Sequence, residues 1–523
     1  MTRPAVTRAA VSMGSVTAVS RVFGFVRVLV VAAILGTTYL GNTFQAANSV
    51  SNVLFELLAA GALSAVLVPT FVTLLDADRR DDADRLAGGL LGVAVVVLGG
   101  VAVIGVVAAP WLARLLSLGA PDAETAAAQE ELATFLLRFF VPQVVLYAFG
   151  AVATALLYAR RWFAITSAAP IGNTIVMVAA LVAFRVVAGP DPGFDLSTGE
   201  QLLLALAGTG GVLAFVGVLV VAARRAGFSL RPRWSRGDAE LRGLLSHSTW
   251  GIVLHSIAGL LLGAALIAGN GVAGGVVAYQ VAFVFFLAPY AVLAQPIHTA
   301  ILPELANEAA RGDRDSFARS TVWALDRMAV LVVPVSAALV AFALPVMSVV
   351  AFGQAAESGP ELLAAGLATL AAGLYPYGAF LLLARCSYAL GDSRTPALVA
   401  IGAGVVGVAT MLVASAFTEG AARVAALGVG HSAAYFVGAA CLGVVLSRRL
   451  GHALVPHQLG LAVACAVPLA VLGWLVVGAL DPEGRVATIV VVGSVVLACG
   501  AAYLVAVRRW WRESASPKRL VGA

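Results

Sequence analysis

The side chains best placed to do chemistry are charges and amides set inside long apolar runs. Arg21 and Arg27 lie in SRVFGFVRVLVVAAILG, six positions apart with Gly24 between them. A guanidinium at mid-bilayer costs at least about 2.5–3.5 kcal/mol on insertion scales and normally faces a cavity or a partner. Six residues turn a helix by about 600°, so the two groups share one side only if the helix bends, which Gly24 permits. Either both face a central cavity and grip an anionic group such as a lipid pyrophosphate through paired N–H donors, or they snorkel to the membrane surface. Arg27 lies deeper in the run than Arg21. Glu56, in NVLFELLAAGALSAVLVP, reads as a counter-ion to these arginines, a cation or proton site, or a substrate contact. Left unpaired it would be protonated. Gln45, Asn48 and Asn52, preceded by Asn42, recur at a spacing that puts them on one helix face, toward a cavity or as polar packing contacts. Arg138, opening FFVPQVV, divides between cavity lining and snorkelling.

A second group comes later in the chain. Gln280, Gln295 and His298 mark AYQVAFVFFLAPYAVLAQPIHTAILP, and Arg385 precedes Tyr388 and Asp392. Glu56, Gln280, His298 and Arg385 are the candidates for coupling or gating. For His298, packing or an interfacial position stands beside proton carriage. Asp326 and Arg327 read as a topology charge with a local partner. The chain has no Walker A loop, so direct ATP coupling is not expected, and its six histidines make no metal-binding pattern. Cys386, Cys441, Cys465 and Cys499 all sit in apolar runs and read as small core residues. No catalytic residue, metal or cofactor is expected. Coupling, if present, comes from the membrane potential or a cation gradient, since one charge moved across 100 mV is worth about 2.3 kcal/mol.

The elements that carry these residues follow from composition. Of the 523 residues 61% are hydrophobic and only 11% charged, with 54 glycines and 21 prolines. Mean hydropathy is +0.97. Such a chain cannot cover a soluble surface, and its apolar stretches have the length of about 20 residues that spans hydrocarbon as helix. Glycine and proline at this level suit close helix packing and kinks. The spacing predicts about fourteen spans: 12–37, 43–74, 87–109, 132–155, 164–186, 201–222, 243–269, 273–300, 321–344, 361–388, 396–416, 424–446, 458–480 and 485–507. The first stretch is too long for a signal-peptide core and carries Arg21 and Arg27, so no cleavable leader is expected. With the N-terminus inside, twenty-five of the 33 basic residues face the cytoplasm. Arg114, Arg185, Arg423 and Arg485 face outward, while Arg21, Arg27, Arg138 and Arg327 fall within spans. That bias places both termini in the cytoplasm. The formal charge of +6 then implies contact with anionic membrane lipids, and no basic surface domain exists to hold a nucleic acid.

Four residue pairs recur at an offset of 234: Pro69 and Pro303, Arg85 and Arg319, Pro142 and Pro376, Arg160 and Arg394. They predict an all-α polytopic protein with two pseudo-twofold-related six-helix lobes in parallel orientation, 1–225 and 226–450. Two further helices follow at 451–507, then a basic cytoplasmic tail at 508–523. Parallel repeats around a central path point to an alternating-access carrier rather than a channel or an enzyme.

Four segments carry a specific resemblance: SRVFGFVR at 20–27, ELLAAGALSAVLVPTF at 56–71, APYAVLAQPIHTAILPELA at 288–306 and GDSRTP at 391–396. With them the chain, from about residue 15 to 507, resembles the MurJ/MviN family of the multidrug/oligosaccharidyl-lipid/polysaccharide exporter superfamily. The resemblance implies fourteen helices in two lobes, the last two flanking a groove for a lipid tail. It implies a flippase in the bacterial inner membrane for lipid II or a related undecaprenyl-pyrophosphate lipid, with cell-wall synthesis proteins as further partners. Arg21 and Arg27 match the family's first-helix arginines. The chain departs from the family at Val28 and at Asn42-Thr43-Phe44, where acidic residues are common. It departs again at Phe55 and Glu56, at Ala60-Gly61, and at Val284, where the family often has arginine. The ELLAAG wording is similar to the actinobacterial branch. The departures leave open a carrier of another polyprenyl-linked glycan and a membrane scaffold that has lost transport.

Overall fold

A computed structural model describes residues 3–55, 61–233 and 249–514, and all regular structure among them is helical. The first helices are α1 (Arg3–Leu35), α2 (Tyr39–Phe55), α3 (Gly61–Asp76), α4 (Arg80–Val107), α5 (Ala109–Ser117), α6 (Ala123–Phe140), α7 (Gln143–Ala159), α8 (Phe163–Ala188) and α9 (Thr198–Arg225). There follow α10 (Thr249–Gly269), α11 (Gly275–Pro289), α12 (Gln295–Arg311), α13 (Arg314–Ala341), α14 (Ala343–Val350) and α15 (Gln354–Ser358). The last are α16 (Pro360–Ala372), α17 (Leu374–Ala389), α18 (Arg394–Ala416), α19 (Gly420–Leu450), α20 (Leu459–Leu480) and α21 (Arg485–Ser514). A π-helical turn, Tyr290–Ala294, joins α11 to α12.

Among the described residues ten helical segments are long and apolar enough to cross a bilayer, or eleven if α16 and α17, bent by 44°, form one span. The expected stretches at 12–37, 43–74 and 243–269 are represented by α1, by α2 with α3, and by α10. The chain is therefore an all-α polytopic membrane protein. Several spans are broken where prolines remove a backbone donor. Pro142 caps the start of α7, and Gly373, three residues before Pro376, divides α16 from α17. Some helix limits share the 234-residue offset: α4 and α13 each have 28 residues, and they begin at 80 and 314. α5 and α14 begin at 109 and 343.

The chain packs as two compact units, Met1–Val277 with Gly353–Ala355, and Ala278–Phe352 with Ala356–Ala523. Packing thus groups α10 with the first unit, against α2, α3 and α5, whereas the repeat reading divides the chain at 225/226. Asn42 accounts for part of that grouping. Its Nδ2 donates to the Val272 carbonyl at 2.8 Å, and its Oδ1 accepts from Val276 N–H at 3.0 Å. Asn270 and Gln129 exchange side-chain hydrogen bonds of 2.9 and 2.7 Å beside it. The turn holding this loop has Gly274 at φ +72°, where a Cβ would strike Thr37; only glycine suits both demands. The core of this half is apolar, with Phe44 and Phe140 edge to face at 5.9 Å.

In the second unit α19 packs along α16, α17 and α18, and α20 lies between α13 and α21. Lipid gives no hydrophobic drive between helices, so close contact depends on small residues. At Gly430 of α19 a Cβ would stand 2.7 Å from the Gly407 carbonyl oxygen of α18. Of the four cysteines, Cys386 is buried and Cys465 and Cys499 are half-buried, while Cys441 is exposed. The expectation of a core position fails for Cys441 because a lipid-facing side of a helix is as apolar as its packed side.

Candidate functional site

The first unit gathers polar side chains from four helices. Arg27 is half-buried on α1, a helix held against α8 in part by the Thr174 hydroxyl, which donates to the Phe23 carbonyl at 3.4 Å. Arg27 interacts electrostatically with Tyr147 of α7. The Tyr147 hydroxyl donates to Asn52 Oδ1 at 2.7 Å. One residue earlier on α2, Ser51 donates to Gln143 Oε1 at 3.2 Å, and Gln143 Nε2 donates to Thr209 Oγ1 of α9 at 2.9 Å. Thr209 in turn donates to the Phe139 carbonyl at 3.0 Å, next to the helix break before α7. The amides and hydroxyls thus satisfy one another. No ion pair to Arg27 occurs among the described residues. The arrangement presents a cation beside neutral donors and acceptors, surroundings that suit a phosphate-bearing ligand.

The sequence candidates fall into place unevenly. Arg27 and Asn52 join this cluster; Asn52 is exposed and Asn48, one turn earlier, half-buried. Gln45 and Asn42 on the same helix are buried, and Asn42 serves the loop described above. Arg21 and Arg138 are exposed and take no part in the cluster among the described residues. Glu56 lies outside the described residues. Ser51, Gln143, Tyr147 and Thr209 were not singled out in the sequence; Gln143 and Tyr147, four apart just after Pro142, carry a one-face signal.

The remaining candidates belong to the second unit. Gln280 is half-buried. His298 is fully buried against Tyr290, ring centroids 5.8 Å apart, and neither ring nitrogen has a hydrogen-bond partner. Arg385, half-buried, interacts electrostatically with both. Around Tyr290 stands an aromatic cluster in which the Tyr279 hydroxyl meets His431 Nδ1 at 3.0 Å. Asp326 has the local partner expected of it: its Oδ1 accepts from Gln458 N–H at 2.8 Å, capping the entry to α20. The GDSRTP segment is a structural staple. Gly391 takes φ +75°, and Asp392 accepts from Thr395 N–H at 3.0 Å and Thr395 Oγ1 at 2.6 Å. Its carboxylate pairs with Arg449 at 2.7 Å. Burial opposes the charge, yet the Thr395 hydrogen bonds and the Arg449 guanidinium hold the Asp392 carboxyl below the ordinary carboxylate range. An apolar cleft of about 600 Å³ runs between α13 and α20, lined by Val333, Ala337, Val340, Val463, Val467 and Trp474.

A polytopic helical bundle with a half-buried arginine beside a hydrogen-bonded polar network is the architecture of a membrane transporter. The family model "Lipid II flippase MurJ" matches residues 31–497, and the chain belongs to that family. It is 28% identical to the "Probable lipid II flippase MurJ" of Rhizobium tropici over 331 residues, 63% of this chain and 60% of that one. It is also 28% identical to the protein of the same description from Vibrio cholerae serotype O1 over 403 residues, 74% of each. The fold is similar to a solved "Lipid II flippase MurJ, inward closed conformation", with TM-score 0.74 and 15% identity over 96% of this chain and 99% of that one.

Proposed function

We propose that the chain is a flippase that moves lipid II, the undecaprenyl-pyrophosphate-linked peptidoglycan precursor, from the inner to the outer leaflet by alternating access. Arg27 holds the pyrophosphate, with Tyr147, Asn52 and Asn48 placing the first sugars; Arg21, Arg138 and Glu56 lie along the path. The carrying observation is a half-buried guanidinium beside a tyrosine–amide network whose own polar groups are mutually bonded. An unliganded cation at that depth is costly, and a diphosphate repays the cost.

Fourteen spans, six in each of two repeat lobes plus α20 and α21, place both termini in the cytoplasm of a bacterial inner membrane. The shared 234-residue offset of helix limits and the distribution of basic residues support this. Gln280, His298 and Arg385 are the residues of the second unit available for coupling to potential or ions. The ELLAAG segment supports the actinobacterial branch. Cysteine labelling tests the topology: positions 190–200 label from outside, and labelling of 232–240 from outside only would invert it. Function is tested by binding and flipping with purified protein in liposomes. Lipid II should bind and flip in preference to other undecaprenyl-linked lipids, and Arg27→Ala should lose both activities without loss of thermal stability. Failure on every such lipid by well-folded protein would overturn the reading.

A further inference from the structure

Helix α7 starts afresh at Pro142, and side chains hold its first turn. Pro142 brings no N–H to the backbone ladder at the break. Across that break the Phe139 carbonyl accepts from Thr209 Oγ1 of α9 at 3.0 Å. A carbonyl only accepts, and a hydroxyl has one proton to give, so Thr209 must accept from its next neighbour. That neighbour is Gln143 Nε2, at 2.9 Å. The sense of the Gln143 amide is thereby fixed, with Oε1 turned to α2, where it accepts from Ser51 at 3.2 Å.

Gln143 and Ser51 are fully buried and lie out of a ligand's reach, but the next turn of α7 does not. Tyr147 stands four residues after Gln143, on the same helix face. Its hydroxyl donates to Asn52 Oδ1 at 2.7 Å, and it is hydrogen-bonded to Ser51 as well. With its oxygen engaged in this way, Asn52 has its amino group to offer. That group makes one long bond, 3.5 Å to the Asn48 carbonyl, and Asn52 is exposed.

We propose that Gln143 is a positioning residue for recognition of the lipid-linked sugar. Anchored by Thr209 and Ser51, it sets the rotation of α7 and with it the place of Tyr147, which holds the Asn52 amino group toward an acceptor oxygen on the first sugar. On the reading of Arg27 as the pyrophosphate site, on which this inference rests, charge divides the work. The guanidinium meets the anion, and the neutral amide meets a neutral oxygen. Anchors at opposite ends of one buried amide mean that turning α7 breaks at least one of them.

Thr209 allows a test that leaves both the buried amide and the ligand contacts in place. Binding of lipid II, and of undecaprenyl pyrophosphate, which lacks the sugars, is measured with the purified full chain. Thr209→Val keeps the shape without the hydroxyl. It should weaken lipid II about fivefold, the effect of one neutral hydrogen bond, and leave undecaprenyl pyrophosphate unchanged. Thr209→Ser keeps the hydroxyl and should bind both lipids as wild type does. In a Tyr147→Phe background Thr209→Val should add no further loss. Gln143→Leu should weaken lipid II at least as far; if it fails to fold, the two Thr209 variants still decide. Wild-type lipid II binding by Thr209→Val would overturn the proposal. So would equal weakening of both lipids, or the same loss with and without the Tyr147 hydroxyl, each the mark of a general packing defect. Arg27→Ala separates the two readings, since it should weaken both lipids. If it weakens neither, the pyrophosphate site falls and the positioning role with it. If it weakens both while Thr209→Val has no effect, the positioning role alone falls.

Discussion

Positions related by the 234-residue offset differ in chemistry between the two units. Positions 45, 52, 56 and 143 of the first half are Gln, Asn, Glu and Gln; 234 residues on stand Tyr279, Phe286, Tyr290 and Tyr377. In the first unit Asn52 and Gln143 belong to a hydrogen-bonded network beside a cation. In the second the aromatic counterparts pack edge to face, Phe286 on Tyr377 at 5.2 Å and Tyr290 on Tyr377 at 4.8 Å. Tyr377 continues to Tyr435 at 4.7 Å. A hydrogen-bonded network beside an arginine can exchange partners with a polar ligand. An interlocked set of rings resists deformation, because each contact depends on the shape of its neighbours. On the proposed function, recognition is expected of the first unit and rigidity of the second.

Exchanging the chemistry of the two linings is the strongest way to break that assignment. Phe286 is fully buried, and Phe286→Asn would import the amide found at position 52. It should cost about 3–5 kcal/mol through lost packing and an amide without partners, read as a lower melting temperature in detergent. Lipid binding by the surviving folded protein should be unchanged. A stable variant with altered lipid selectivity would place recognition in the second unit as well.

The next largest effect is at Arg27. Arg27→Ala should weaken lipid II binding by about 1.5–3 kcal/mol, the range for hydrogen bonds to charged groups, with little change in melting. Arg27→Lys keeps the charge but loses the planar fork and should fall between alanine and wild type. Wild-type flipping by the alanine variant would return Arg27 to a snorkelling role. Tyr147→Phe removes one hydroxyl from the network and leaves Asn52 Oδ1 without that donor. Because Asn52 is exposed, water replaces the bond, and the loss should be about 1 kcal/mol, a severalfold rise in the lipid II dissociation constant. A double variant with Arg27→Ala that shows no coupling between the two sites would separate Tyr147 from the site.

Much of the fold was legible because hydropathy and helix length measure the same thing. The stretch expected at 87–109 begins inside α4 and runs two residues past its end at Val107, and the one at 164–186 appears within α8. The 234-residue offset was legible at Pro142 and Pro376 because proline marks helix breaks wherever they fall. The site was only partly legible. Asn42 and Asn52 share one helix and one polarity, yet one anchors a loop 228–234 residues away in sequence and the other meets Tyr147. Periodicity reports the side of a helix, not which neighbour covers it. Tyr147 and Gln143 were hidden because a lone tyrosine and glutamine in an apolar run look like packing until α2 and α9 are seen beside them.

The smallest expected effect concerns His298, the residue of the second unit whose chemistry is most ambiguous. It is fully buried, and two ring nitrogens without partners are an energetic liability, each costing about 1–3 kcal/mol when left unsatisfied. Of the two roles open to it, that setting favours packing against Tyr290 over proton carriage. His298→Leu should therefore leave the melting temperature equal or slightly higher, because the replacement removes unmet polar groups at similar bulk, and flipping should keep its dependence on pH and membrane potential. A well-folded His298→Leu protein that binds lipid II normally but no longer responds to a proton gradient would show that the second unit does more than hold shape. The orphaned nitrogens would then mark a coupling site.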